Sequence, residues 1–370
     1  MTVVIRVDAS ELIGTGHITR SMALAEALRT RGAQVRFVCR AHPGNFIGVL
    51  KGKGLPVSAL AALPTDAYPV GEDYAAWLGV PQAVDAAQTI GALDGGPPDW
   101  LVVDHYGLGA EWERLLRPHV GKLLVIDDLA DRDHDCDVLL DQTYSDPSVH
   151  RHDGLVPEAC QLLVGPRYAL LAPQYGSYRH ALAGRDGHVR RVLVYFGGTD
   201  PRNMTSLVLA VLSTPEFSHL DVDVVIGTNS ANRVALERQA AQRPRTHVHG
   251  TRAHLADLMV HADVAIGAGG VTTWERMCLG VPSLVVCLAA NQRSTCEALS
   301  AAGLIQYVGD VSAVGKTEIA IGLRQLIGGR DRLLELSARG LECVDGQGAA
   351  RVAEVMGGQP ARPRVLLGSS

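Results

Sequence analysis

Four stretches of this 370-residue chain pair glycine-rich turns with side chains able to move protons or hold phosphates. The first is Arg6-Val7-Asp8-Ala9 followed by Ile13-Gly14-Thr15-Gly16-His17-Ile18-Thr19-Arg20. A strand ends, a glycine loop follows, and a helix opens near His17. Gly14 and Gly16 let the backbone approach a ligand, and the helix N-terminus offers unpaired N–H groups. An imidazole at that position feels the positive end of the helix dipole, which keeps it neutral and able to accept a proton near pH 7. The same residues would also make an ordinary capped turn with an incidental histidine. The dinucleotide-binding fingerprint is incomplete, because Ile18 and Thr19 stand where its third glycine belongs.

The second stretch joins Val103-Asp104-His105-Tyr106 to Val125-Ile126-Asp127-Asp128-Leu129-Ala130-Asp131-Arg132-Asp133-His134-Asp135-Cys136-Asp137. Both halves begin where an apolar strand ends, so both face the cleft that His17 faces. The aspartates could do acid–base work, or His134 with Asp135 and Asp137 could hold a metal. Crowding into one short turn and the lack of a second ligand cluster argue against a metal. A hydrogen-bonded loop network around Arg132 is the competing reading. The third stretch, Tyr195-Phe196-Gly197-Gly198-Thr199-Asp200-Pro201, is another glycine turn at a strand end.

The fourth stretch is the most specific. It runs from His249-Gly250-Thr251-Arg252 through Leu255-Ala256-Asp257-Leu258-Met259 and Ala262-Asp263-Val264-Ala265-Ile266 into Gly267-Ala268-Gly269-Gly270-Val271-Thr272-Thr273-Trp274-Glu275-Arg276, then Gly280-Val281-Pro282. A strand ends in glycines and a helix starts near Thr272 or Thr273. The backbone N–H groups of Gly269 and Gly270 and the two threonine hydroxyls suit a diphosphate. Glu275, in the first helical turn, can grip two ribose hydroxyls; a packed turn with a helix-start acid is the plainer alternative.

These turns need strands and helices to place them. Short β-branched runs without polar alternation recur at Val3–Val7, Val35–Cys39, Leu101–Asp104, Leu123–Asp127 and Val138–Leu140, then at Val192–Phe196, Val222–Ile226, Val264–Ile266 and Leu284–Leu288. Such runs read as strands buried on both faces. Helical patterns lie between them. Ile18, Met22, Ala25 and Leu28 share one face until Gly32 ends it, and Trp112, Leu115 and Leu116 mark another. The alternation predicts parallel sheets flanked by helices. It breaks after Leu140 and restarts at Val192, which predicts two doubly wound α/β domains. We place them at residues 1–172 and 188–356, with 357–370 as an aperiodic tail.

Composition narrows the function. The formal net charge is −5 and charged residues are 20% of the chain, so a basic nucleic-acid footprint is absent. No apolar run reaches about 18 residues and the N-terminus enters a strand at once, so neither a membrane span nor a signal peptide is expected. Seven scattered cysteines without a C-x-x-C spacing argue against structural zinc and a disulfide framework. The expectation is a soluble cytoplasmic protein, a monomer or weak homo-oligomer, with no cofactor and no metal.

The fourth stretch resembles the nucleotide site in the second domain of GT-B glycosyltransferases of the lipid II-forming N-acetylglucosaminyltransferase kind. The first half sharpens the match. Arg6–Ser10, Gly14-Thr15-Gly16-His17 with Arg20, Asp104-His105-Tyr106, Val125–Ala130, His134–Asp137 and Asp141-Gln142 together resemble the UDP-2,4-diacetamido-2,4,6-trideoxy-β-L-altropyranose hydrolases of pseudaminic acid biosynthesis. That resemblance covers roughly residues 3–355. It implies a GT-B fold, two Rossmann-type domains with a cleft between them, and hydrolysis of the C1–O bond of a UDP-sugar with inversion. It implies His17 as general base, nucleotide contacts from Gly269 to Glu275, and a helix carrying Asn291 and Gln292 beside the sugar–phosphate junction. The chain departs from the family's pattern at Thr143, Ala172 and Ala290, where the family carries Asn, Arg and Asp. All three changes replace polar groups able to touch the sugar, while the nucleotide half keeps the pattern. The rivals are a GT-B transferase that passes the sugar to a small acceptor and a catalytically idle UDP-sugar-binding protein; retention of His17 weighs against the second.

Overall fold

The computed structural model describes residues 1–62, 73–146, 148–228 and 230–358. The apolar runs assemble into two sheets, all of whose strand pairs are parallel. The first contains β1 (Thr2–Val7), β2 (Gln34–Arg40), β3 (Val57–Leu60), β4 (Trp100–Asp104), β5 (Lys122–Ile126), β6 (Val138–Asp141) and β7 (Gln161–Val164), in the order β3-β2-β1-β4-β5-β6-β7. The second contains β8 (Arg191–Tyr195), β9 (Asp221–Val225), β10 (Thr246–His249), β11 (Val264–Ala268), β12 (Ser283–Cys287) and β13 (Gln306–Asp310), in the order β10-β9-β8-β11-β12-β13. Both sheets therefore reverse direction beside their first strand, between β1 and β4 and between β8 and β11. Open α/β sheets bind ligands at the carboxyl ends of strands at such a switch point.

Helices α1 (Gly16–Thr30), α2 (Ile47–Gly52), α3 (Gln82–Gly91) and α4 (Ala110–Leu116) connect the first sheet, and α5 (Pro173–His180) leads to the second. The second carries α6 (Met204–Leu212), α7 (Arg233–Ala241), α8 (Ala256–Met259), α9 (Thr272–Cys278), α10 (Ala290–Ala301), α11 (Lys316–Gly328) and α12 (Arg330–Cys343); α13 (Gly348–Met356) follows. Side chains alternate across each sheet and feed a core on either face, as the period of a strand requires. Val3, Ile5 and Val7 enter one core and Val4 the opposite one, while Val192 and Val194 are separated in the same way from Leu193.

Packing exchanges the two connecting helices. Tyr175 of α5 is buried with the second domain's Leu255, Trp274 and Leu279. Val352 and Met356 of α13 return to the first core beside Ile18 and Leu28, and Trp100 Nε1 donates to the Met356 carbonyl at 3.0 Å. The sequence reading ran its second domain through 356, but α13 packs on the first sheet because Val352, Ala353 and Met356 complete the apolar face of α1. Of the expected tail, 359–370 lies outside the described residues. Among the described residues no helix is long and apolar enough to cross a membrane, and all seven cysteines are free thiols.

Candidate active site

The loop after β1 is shaped by its glycines and by Ser10. Gly14 adopts φ +76°, a left-handed conformation that favours glycine, and the Ser10 hydroxyl accepts from the Leu12 and Ile13 amides. The chain then enters α1 at Gly16, so His17 stands in its first turn. A Cβ placed on Gly16 would lie 3.5 Å from Val271 of the second domain. The two glycine turns are thus in contact across the cleft.

His17 reaches over the first switch point. Its Nδ1 lies 2.6 Å from Asp104 Oδ1, at the end of β4. A carboxylate only accepts, so the imidazole donates from Nδ1, and Nε2 has no hydrogen-bond partner among the described residues. Arg20, one turn further along α1, donates to both oxygens of Asp104 at 2.8 and 2.7 Å, and the Ser21 hydroxyl adds a fourth donor at 3.1 Å. Burial alone would raise the Asp104 carboxyl; Arg20 and His17 beside it hold it well below the usual carboxylate range. Asp104 is a fixed anion under the imidazole. Its position at the strand end is legible in the sequence, but its pairing with His17, 87 residues away, is not.

An aromatic wall stands against His17. The Tyr106 ring lies edge-on at 4.5 Å, Trp77 stacks on Tyr106 at 5.9 Å, and Tyr74 closes on both. The Tyr106 hydroxyl donates to Asp128 Oδ2 at 3.1 Å, and Arg20 donates to the same oxygen. Beneath the loop, Arg6 is buried in a double carboxylate clamp, 2.6 Å from Asp8 and 2.7 Å from Asp85, with Arg40 also on Asp85 at 2.6 Å. Burial pushes His105 down to about 3 despite Asp8, 3.5 Å away, so it packs as a neutral ring.

The aspartate-rich segment after β5 is the hydrogen-bonded network. Asp127 pairs with Arg132 at 2.9 Å and accepts from the Ala130 amide, while Asp135 and Asp137 share Arg117. His134 contacts Glu113 at 2.7 Å and Asp127 at 3.7 Å. Burial lowers it, but these two carboxylates outweigh burial and raise it to about 9. His134 thus sits with Glu113 and Asp127, while Asp135 and Asp137 pair with Arg117.

On the second domain, Gly197 has φ +95° and the Gly197–Gly198 turn rests against Gly227, whose Cβ would meet the Gly198 carbonyl at 1.7 Å. Gly269 and Gly270 lie under Gln292, 3.5 Å and 3.7 Å from where their Cβ atoms would be, and Gln292 Oε1 accepts from the Leu288 amide. Asn291 is beside it in the first turn of α10, half-buried. Thr272 is half-buried at the start of α9. Thr273 turns inward: its hydroxyl accepts from Arg276 at 2.9 Å, and Arg276 also donates to the Ala268 carbonyl at 2.8 Å. Thr273 therefore braces the turn, leaving Thr272 on the open side. Glu275 is buried, and burial pushes its carboxyl up to about 7 against the opposing effects of the Tyr175 hydroxyl and Arg276.

The positions where the chain departs from the hydrolase pattern are also placed. Thr143 donates to Asp141 at 2.6 Å, in a cluster with Arg151 and His152; Ala172 precedes α5 and Ala290 opens α10.

No protein-family model matches the chain. The spore coat polysaccharide biosynthesis protein SpsG of Bacillus subtilis is 28% identical over 193 residues, which are 52% of this chain and 57% of that protein. The UDP-2,4-diacetamido-2,4,6-trideoxy-beta-L-altropyranose hydrolase of Campylobacter jejuni is 25% identical over 305 residues, 82% of this chain and 97% of that enzyme. The chain thus spans little more than half of the first relative and nearly all of the second. Among solved structures, MurG of Acinetobacter baumannii superposes with a TM-score of 0.63 at 14% identity, covering 97% of this chain and 99% of that one. The glycotransferase of kitacinnamycin gives 0.62 at 18% identity, covering 97% and 98%. Two parallel-sheet domains and these neighbours give the chain the GT-B fold, and in sequence it resembles the UDP-2,4-diacetamido-2,4,6-trideoxy-β-L-altropyranose hydrolases.

Proposed function

We propose that the chain is a GT-B enzyme acting on UDP-sugars, and that it hydrolyses the C1–O bond of a UDP-linked 2,4-diacetamido-2,4,6-trideoxy sugar with inversion. The observation that carries this reading is the His17–Asp104 pair at the first switch point, with the second domain's glycine turn meeting the neighbouring Gly16 at Val271. In this mechanism His17 Nε2 takes a proton from water as the water oxygen attacks C1 from the face opposite the diphosphate. Asp104 holds the imidazole in the required tautomer and stabilises the imidazolium that forms. General-base catalysis of this kind contributes typically about 10²–10⁴-fold.

The leaving UDP is assigned to the second domain. Gly197, Gly198, Gly269 and Gly270 bring backbone close to the diphosphate, Thr272 adds a hydroxyl, Glu275 accepts from the ribose, and Asn291 and Gln292 border the sugar–phosphate junction. Gly14 and Gly16 close the opposite side. Preorganised donors aimed at the departing oxygen stabilise charge as it develops.

The same base could deprotonate an acceptor hydroxyl, which is the transferase alternative. Incubation with the UDP-2,4-diacetamido sugar in H₂¹⁸O, with UDP and free sugar quantified, separates the two. Stoichiometric free sugar labelled at C1 is expected. UDP release only on addition of an acceptor would replace hydrolysis by transfer.

A further inference from the structure

Two polar atoms on the wall beside His17 are buried and lack a partner among the described residues: Asp128 Oδ1, an acceptor, and Trp77 Nε1, a donor. Each is anchored to Tyr106 from a different side. Asp128 is held through Oδ2 by the Tyr106 hydroxyl and by Arg20, which leaves Oδ1 uncommitted. Trp77 is held by stacking on the Tyr106 ring at an interplanar angle of 29°, and its own ring lies 6.5 Å from His17. A buried acceptor or donor left unmade is costly, so each one calls for a reason. Both sit on residues that touch Tyr106, whose ring lies edge-on to His17.

We propose that Asp128 and Trp77 contact the sugar of the substrate, Oδ1 accepting an N–H or O–H from one substituent and Nε1 donating to an oxygen on another, so that they determine which sugar is placed beneath His17. This rests on the reading of the chain as a UDP-sugar hydrolase. A sugar carries donors and acceptors on adjacent carbons, which matches a wall offering one of each, and the stacked Trp77 and Tyr106 rings suit the apolar face of a 6-deoxy ring. The geometry also predicts the effect of an amide. Arg20 and Tyr106 both donate to Asp128, so an asparagine there must turn its carbonyl to them and its NH₂ toward the sugar, setting donor against donor.

The test uses Asp128→Asn and Trp77→Phe, with the UDP-2,4-diacetamido sugar as substrate, UDP as a calorimetric ligand and the free product sugar as inhibitor. Each variant is expected to lower kcat/KM about 10–100-fold, the scale of one lost hydrogen bond in a site built to make it. The inhibition constant of the free sugar should rise by about tenfold or more, while UDP affinity stays within about twofold. The sugar inhibition constant is the discriminating readout, because a residue acting only through His17 would lower kcat and leave it unchanged. Trp77→Phe keeps the stacking, so it carries the test if Asp128→Asn fails to melt cooperatively or to bind UDP. Wild-type values of kcat/KM and of the sugar inhibition constant in either well-folded variant overturn the proposal. Absence of UDP release from the wild-type chain refutes the underlying function instead.

Discussion

Asp104→Asn is the substitution that most directly tests the proposed chemistry. It keeps the shape of a side chain that is fully buried and changes only its hydrogen-bonding sense. Four donors now converge on the carboxylate: His17 Nδ1 at 2.6 Å, Arg20 twice at 2.8 and 2.7 Å, and Ser21 at 3.1 Å. Arg20 donates to both oxygens, so in either orientation the asparagine NH₂ meets one of its N–H groups. With the NH₂ at the Oδ1 position, Nδ1 must accept and the ring proton moves to Nε2; with the carbonyl there, the tautomer is kept but the imidazolium loses its counter-anion. Either way the base is impaired, by up to about 10²–10⁴ in kcat. Stability falls as well, because a buried ion pair loses one member; breaking such pairs costs about 3–5 kcal/mol. Arg20 keeps Asp128, so the lower end of that range is expected. The assay is single-turnover UDP release beside calorimetric UDP binding, with His17→Gln and the double variant. kcat should fall in both single variants, the double variant should be no worse than His17→Gln, and UDP should bind all of them like wild type. Wild-type kcat in Asp104→Asn refutes the tautomer argument, and additive losses in the double variant refute the pairing.

Extensive EDTA treatment should leave UDP release unchanged, because Arg132, Arg117 and His134 already occupy the aspartates after β5; a loss restored by Mg²⁺ or Zn²⁺ would overturn that assignment. UDP binding should weaken on acidification: with Glu275 at about 7 in the free protein, ribose hydroxyls favour the ionised form, and the ionised fraction falls about fivefold from pH 7 to 6. Glu275→Gln supplies the baseline for the nucleotide's own titration, and identical pH profiles in titration calorimetry would remove Glu275 from the ribose. Glu275→Ala should weaken UDP by about an order of magnitude and 2′-deoxy-UDP much less, since a hydrogen bond to a charged group is worth about 1.5–3 kcal/mol; equal losses would make Glu275 a structural residue. His134, raised to about 9, binds its proton more tightly folded than unfolded, so its stabilisation is complete below about pH 6.5 and is lost as pH rises through 9. Thermal melts over that window should show wild type losing up to about 3 kcal/mol of stability that His134→Gln never had, and parallel curves would refute the Glu113–His134 pairing.

The strands that were legible are the buried ones. Every β-branched run expected to be a strand lies in a sheet, with ends shifted by a residue or so. The four strands without a sequence signal are β3, β7, β10 and β13, and all four are edge strands. An edge strand keeps one flank in solvent and needs less apolar surface. Gln161 and Leu162 of β7 are exposed and only Leu163 is buried, while β10 alternates His247 and His249 with Val248, itself 40% exposed. Periodicity reads burial, and where burial is incomplete the signal fades.

The site divides along a different line. What depends on neighbours in sequence was legible: the glycine turns, the helix start at His17, the turn before Glu275. What depends on the order of strands was not. β1 and β4 are adjacent only because the chain leaves for β2 and β3 and returns on the other side of β1. That reversal opens the crevice and brings Asp104 under His17. Asp128 follows from β5, one strand further out, and meets Arg20 by the same route. Within the aromatic wall, Tyr106 follows β4 but Trp77 comes from yet another segment, the short helical turn at Ala76–Leu78. Charge then fixes what topology brings together. Arg20 spans Asp104 and Asp128, so one side chain on α1 holds both the anion that orients the base and the carboxylate assigned to the sugar. A substitution at Arg20 should therefore disturb turnover and sugar recognition together, whereas Asp104→Asn and Asp128→Asn separate them.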